Sequence, residues 1–158
     1  MTDNKKDLTS PPETEAKPTD SFANFISAAG VILAVSYPVL ALSTGFRAVY
    51  QLFFKEGVES YIGPLTTLVA ATCYLTATVG IVMQKRWGKK AWWLSVAVLG
   101  FETSMTFLVG TLSLLYPELI GSAAWRAFGA DYGYFPLIQP ILGLLWLFHP
   151  LTRKAYGF

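Results

Sequence analysis

The sequence predicts an all-α membrane protein: a four-transmembrane-helix bundle, both termini on the cytoplasmic side, preceded by a disordered N-terminal tail. Three observations lead there. The 158 residues are 53% hydrophobic and only 14% charged, with a mean hydropathy of +0.44, whereas ordinary soluble domains carry about 25% charged residues. The charges gather in short clusters between long apolar runs, which is how membrane topology is encoded. Within those runs, small residues recur at helical spacing, as they do where membrane helices meet.

The tail comes first. Residues 1–21 set Lys5, Lys6 and Lys17 against Asp3, Asp7, Glu13, Glu15 and Asp20, so this segment carries −2 and the remainder +4 of the overall +2. Residues 1–20 hold no large apolar side chain beyond Met1 and Leu8. They cannot bury enough surface to offset ordering entropy. An acidic start followed by a long apolar run does not fit a cleaved secretory signal, and the first helix is expected to stay on the protein. Residues 22–158 then form the transmembrane domain.

Between Phe22 and Phe54 the only charge is Arg47. The 33 residues would make about 49 Å of helix, more than the roughly 30 Å hydrocarbon core needs. TM1 is placed at residues 24–46 with a kink at Pro38, and Arg47–Phe54 continue the helix near the far surface. Lys55–Ser60 (KEGVES) is a polar turn. TM2 covers 61–84, with Pro64 in its first turn, where a missing amide hydrogen costs little. Lys85, Arg86, Lys89 and Lys90 end it. TM3 covers 91–116, opening with the interfacial pair Trp92 and Trp93 and stopped by Pro117. The loop 117–135 is too polar and Gly-rich to span yet rich in aromatics, and is expected to lie at the interface with a short helix around Ser122–Phe128. TM4 covers 136–151, about 16 residues and short for the core.

Orientation follows from the cations. Lys85, Arg86, Lys89, Lys90, Arg153 and Lys154 share one face, which is therefore cytoplasmic, and the plasma (inner) membrane is the expected location. The opposite face sets Arg47, Lys55 and Arg126 against Glu56, Glu59, Glu118 and Asp131.

Helix faces carry the rest. Ser27, Gly30, Ala34, Tyr37, Ala41, Thr44 and Ala48 make a small-residue seam on TM1, and Thr66, Ala70, Cys73, Ala77, Gly80 and Gln84 make one on TM2. The two seams are expected to touch. On TM3, Ser95, Glu102, Thr106 and Ser113 fall within about 60° of one another, so this polar stripe should look into the bundle. Gly100 and Ser104 form a small pair on nearly the opposite side. On TM4, Gln139, Gly143, Trp146 and Pro150 lie on one strip.

Glu102 lies roughly 16 Å inside the helix, near mid-bilayer. A lone charged carboxylate costs several kcal/mol there, so it must be protonated, paired or facing water. It is either a functional group or a neutral acid bonded to a hydroxyl of another helix as structural glue. Arg47 is its obvious counter-ion, but in the register above it sits near the outer surface, out of reach. Only a shifted span, Gly30–Phe54, would let it reach the acid. In the outer loop, Trp125, Arg126, Asp131 and Tyr132 form a candidate interface, suited to headgroups or to a partner protein.

The function classes narrow accordingly. Cationic clusters punctuating apolar runs argue against nucleic-acid binding. Cys73 is the only cysteine and His149 the only histidine, so neither an internal disulfide nor a Cys/His zinc set can form. No nucleophile–base pair and no phosphate-binding glycine motif is present, so neither a catalytic role nor a cofactor is expected. The expectation is a non-enzymatic accessory or assembly subunit, in contact with membrane lipids and with a membrane partner or its own copies. The alternative is a small carrier or proton-linked conduit built on Glu102, with Ser95, Thr106, Ser113 and Tyr37 or Tyr74 lining a polar path.

Overall fold

A chain dominated by Leu, Val, Ala and Phe offers its backbone few polar partners other than itself, and helices satisfy that need within one segment. The structure, a computed structural model, describes residues 18–58 and 60–158, with side chains from Ala23 onward. All regular structure among them is helical. The elements are α1 (Pro18–Phe53), α2 (Ile62–Val82), α3 (Gln84–Trp87), α4 (Lys89–Leu115), α5 (Pro117–Ile120), a 3₁₀ segment (Arg126–Tyr132), α6 (Phe135–Phe148) and α7 (Pro150–Ala155). Three stretches, Ala23–Phe53, Ile62–Val82 and Lys89–Leu115, are long and apolar enough to cross a membrane.

Several boundaries move from their expected places. TM1 and its extension are one helix of 36 residues that contains Pro38 and begins at Pro18, within the segment read as tail. Residues 1–17 lie outside the described residues, and the expected disorder there with them. The expected TM4 is divided. α6 ends at Phe148, His149 adopts an extended backbone (φ −64°, ψ 137°), and α7 restarts at Pro150 with the His149 ring accepting from the Leu151 N–H. A proline that presets φ and needs no donor favours that restart.

The helices pack as a ring in the order α1, α2, α4, α6, with α6 returning to α1. On α1, Ala41, Thr44 and Ala48 are buried, and on α2 Ala70, Ala71 and Ala77, so small side chains let these two backbones approach. The N-terminal half of the α1 seam does something else. Ser27 is exposed, and Gly30 faces the Trp146 ring of α6, 2.6 Å from where a Cβ would stand. The Trp146 indole donates to the Ile26 carbonyl at 2.9 Å. The TM1 seam thus serves two neighbours. The stripe on α4 is buried throughout: Ser95, Glu102, Thr106, Val109 and Ser113 face the interior. Among the described residues nothing packs on Gly100, where a Cβ would meet no atom within 4 Å, and Ser104 is exposed.

Candidate functional site

The polar interior is built from the α4–α6 pair outward. Thr106 Oγ donates to the Pro136 carbonyl at 3.2 Å, and Leu99 occupies the space beside Gly143. Between these contacts the two antiparallel helices each advance seven residues, which sets Glu102 across from Gln139 and Pro140. Gln139 donates its amide to Ser36 Oγ of α1 at 2.9 Å. The next residue, Tyr37, points inward, its hydroxyl 3.6 Å from a Cβ position on Gly143 and its ring 6.1 Å from that of Tyr74 on α2. Both phenols and the Cys73 thiol lie within electrostatic reach of the Glu102 carboxyl. One level of the bundle therefore collects Tyr37, Tyr74, Glu102 and Gln139 from four helices.

None of these side chains is accessible in practice: Tyr37, Tyr74 and Glu102 are 0% exposed and Gln139 4%. Both Glu102 oxygens, both phenolic oxygens and the Gln139 carbonyl oxygen lack a hydrogen-bond partner among the described residues. Buried polar atoms in native proteins are almost always partnered, by protein, water or an ion. Five such oxygens at one level is the arrangement that stands out in this molecule.

The stripe read from the sequence separates into different tasks. Thr106 also bonds back to the Glu102 carbonyl at 2.9 Å and so ties the helix locally. Ser113 accepts from the Ala127 N–H at 2.8 Å and holds the outer loop. Ser95 lies two turns below Glu102, against Gly80 and beside the Tyr156 hydroxyl, which reaches the Gly80 carbonyl at 3.4 Å. Burial pushes the Tyr156 phenol up to about 12, against a smaller lowering by the Ser95 hydroxyl.

The outer loop does not lie flat. It enters the mouth of the bundle, with Ala123, Ala124 and Trp125 all fully buried. Thr67 of α2 accepts from the Ala124 N–H at 3.0 Å, and Phe128 packs against Gly110, 2.6 Å from a Cβ position there. The Trp125 indole stops beside the Tyr74 hydroxyl. The expected helix over Ser122–Phe128 is replaced by tight turns in which Ala127, Phe128 and Gly129 all take left-handed backbone angles (φ 45°, 61° and 84°). Gly129 suits that region and the other two do not. Trp125, expected at an interface, is instead core. Arg126 and Asp131 remain exposed and Tyr132 is half-buried.

Arg47 has its partners here. Its guanidinium donates to Ser122 Oγ and to Asp131 at 3.0 Å, and lies over the Tyr132 ring at 5.5 Å. No pairing with Glu102 exists. At the opposite end Trp92 donates to the Leu147 carbonyl at 2.9 Å and meets Phe148 and Phe158, with Arg153 over its ring. A groove of about 450 Å³ opens beside it, lined by Gly30, Ala34, Ile81, Gln84, Trp146 and Thr152 among others.

Comparison of the chain with family models, with curated proteins and with solved structures returns no match. Sequence reasoning found Glu102 but not its level-mates as a set. Gln139 was readable only as a strip member, since the α4–α6 register that faces it to the acid is a tertiary fact. The burial of Trp125 had one signal, the Gly-rich stretch around it, which allows a tight inward turn.

Proposed function

We propose that the chain is a four-span integral protein of the plasma membrane, N-in and C-in, that acts without catalysis as an accessory or assembly subunit of a larger membrane complex or of its own oligomer. The fourth crossing is α6: its 14 residues give about 21 Å of helix, and the inserted loop and α7 extend the packed column at its two ends. Lys85, Arg86, Lys89, Lys90, Arg153 and Lys154 all belong to the end where Tyr156 meets Gly80 and where α1 begins, which supports a cytoplasmic assignment for that end. Exposed Val31, Ile32, Val35, Val39, Leu42 and Phe46 on α1 suit lipid contact.

The observation that carries the subunit reading is the outward face of α4. Gly100 and Ser104 give the close backbone approach that membrane helices use to associate, and no described residue uses it. Gly100→Leu therefore leaves the monomer's packing untouched and should abolish association. The measurement is co-purification and mass in mild detergent, wild type beside variant. Recovery of the wild type only as a partner-free monomer would end this reading. A carrier or proton-linked conduit on Glu102 is the second reading, favoured by the unpartnered carboxyl at mid-bundle. It requires Glu102→Gln to lose transport in proteoliposomes while keeping its fold.

A further inference from the structure

The level containing Glu102 has a chemistry of its own. Five oxygens come from four helices: two from the Glu102 carboxyl, one each from the Tyr37 and Tyr74 hydroxyls and one from the Gln139 side chain; four lack any partner among the described residues, and the Tyr74 hydroxyl has the Trp125 indole N–H beside it. Register sets Glu102 level with Pro140, one residue from Gln139, the Gln139–Ser36 bond brings Gln139 next to Tyr37, and the Tyr37–Tyr74 ring pair closes the circuit. The Gln139 amide nitrogen is committed to Ser36, and the Trp125 indole, a donor only, stands at the edge of the level beside Tyr74. The groups are hard oxygen donors, which suit alkali and alkaline-earth cations and not soft metals. A single carboxylate neutralises one unit of charge, so a divalent ion would leave net positive charge in a low-dielectric interior.

We propose that Glu102, Tyr37, Tyr74 and Gln139 form a buried site for a monovalent cation of sodium size. The ion's charge balances the Glu102 carboxylate, and the hydroxyl and amide oxygens complete its shell. The proton is the natural competitor, since protonation of Glu102 removes the charge that holds the ion. The approach is from the α1–α6 groove, whose residues Ala34 and Ile81 stand one turn from Tyr37 and two turns from Tyr74. On the outer side the inserted loop, with Trp125 beside Tyr74, closes the site. This inference shares Glu102 with the carrier reading but not its fate: an ion bound without being carried leaves the site standing and removes the carrier.

Equilibrium dialysis with radioactive sodium, on the purified full chain in detergent, reads the site directly. Wild type should retain sodium saturably, Glu102→Gln should retain none, and Tyr37→Phe should weaken retention roughly tenfold, about one log unit in affinity. Lowering the pH should displace the ion. A parallel measurement uses dicyclohexylcarbodiimide, which modifies protonated buried carboxyls. Sodium should slow modification of Glu102 and choline at equal ionic strength should not. Equal sodium retention by wild type and Glu102→Gln, or modification indifferent to sodium, would overturn the proposal and leave Glu102 as a protonated acid only. Tyr37→Phe removes one hydroxyl and keeps the ring, so it tests the site even if Glu102→Gln fails to fold.

Discussion

Arg47 and Glu102 are the two residues of the Asp, Glu, Lys and Arg kind that interrupt the apolar runs 23–53, 62–82 and 91–115, and they are housed in opposite ways. Arg47 stands at the rim, partly exposed, with a hydroxyl, a carboxylate and a ring around its guanidinium. Glu102 stands at the centre, fully covered, with neither oxygen bonded to a described residue. The rim charge is explained by its neighbours: it pins the inserted loop to α1. The central carboxyl is not explained by its neighbours, and a group so costly to bury without a partner points to something it holds. The lesson is that the strength of a charged residue's contacts and its functional interest run in opposite directions here.

The largest expected effect breaks the rim. Gly110→Leu puts a side chain where Phe128 now lies, and overpacking of this kind costs typically about 1–3 kcal/mol, occasionally more. Its apparent thermal midpoint in detergent should fall furthest of the variants considered, and protease should gain access near residue 125. A midpoint equal to that of wild type would mean that the loop does not pack into the bundle. Next comes a double-mutant cycle on Arg47 and Asp131. Their side chains are 29% and 36% exposed, so the coupling should be about 1 kcal/mol or less and should shrink in high salt. Salt-independent coupling above that size would place the pair in a drier setting than the structure gives it. The smallest effect sharpens the contrast: Glu102→Gln keeps the side chain's size and breaks no hydrogen bond to a described residue, so in sodium-free buffer it should cost less than about 1 kcal/mol, the net worth of one hydrogen bond. A loss of about 2 kcal/mol or more would show the acid to be structural glue bonded to a neighbouring helix.

Helix identity was legible because long apolar runs admit few other structures, and the inward stripe of α4 was legible because a period of 3.6 is fixed by backbone geometry. The location of Arg47 near the outer surface followed from counting rise per residue. What the sequence could not supply was register between helices. Nothing local to Gln139 says that it faces Glu102, and nothing local to Gly30 says that its neighbour is Trp146 rather than α2. The loop was misjudged for a related reason. Trp125, Phe128 and Tyr132 have the composition of an interfacial belt, and only Gly110, Thr67 and Ser113, distant in sequence, create the slot and the hydrogen-bond partners that draw the loop inside.

The bond from Trp146 to the Ile26 carbonyl joins residues 120 positions apart, and it bears on how the protein is made. Ile26 emerges from the ribosome 120 residues before the indole that secures it. Until then the α1–α6 flank of the ring lacks this tie. A chain truncated before Trp146 would therefore enter the bilayer without this latch, and quality-control proteases would meet it in that unlatched form.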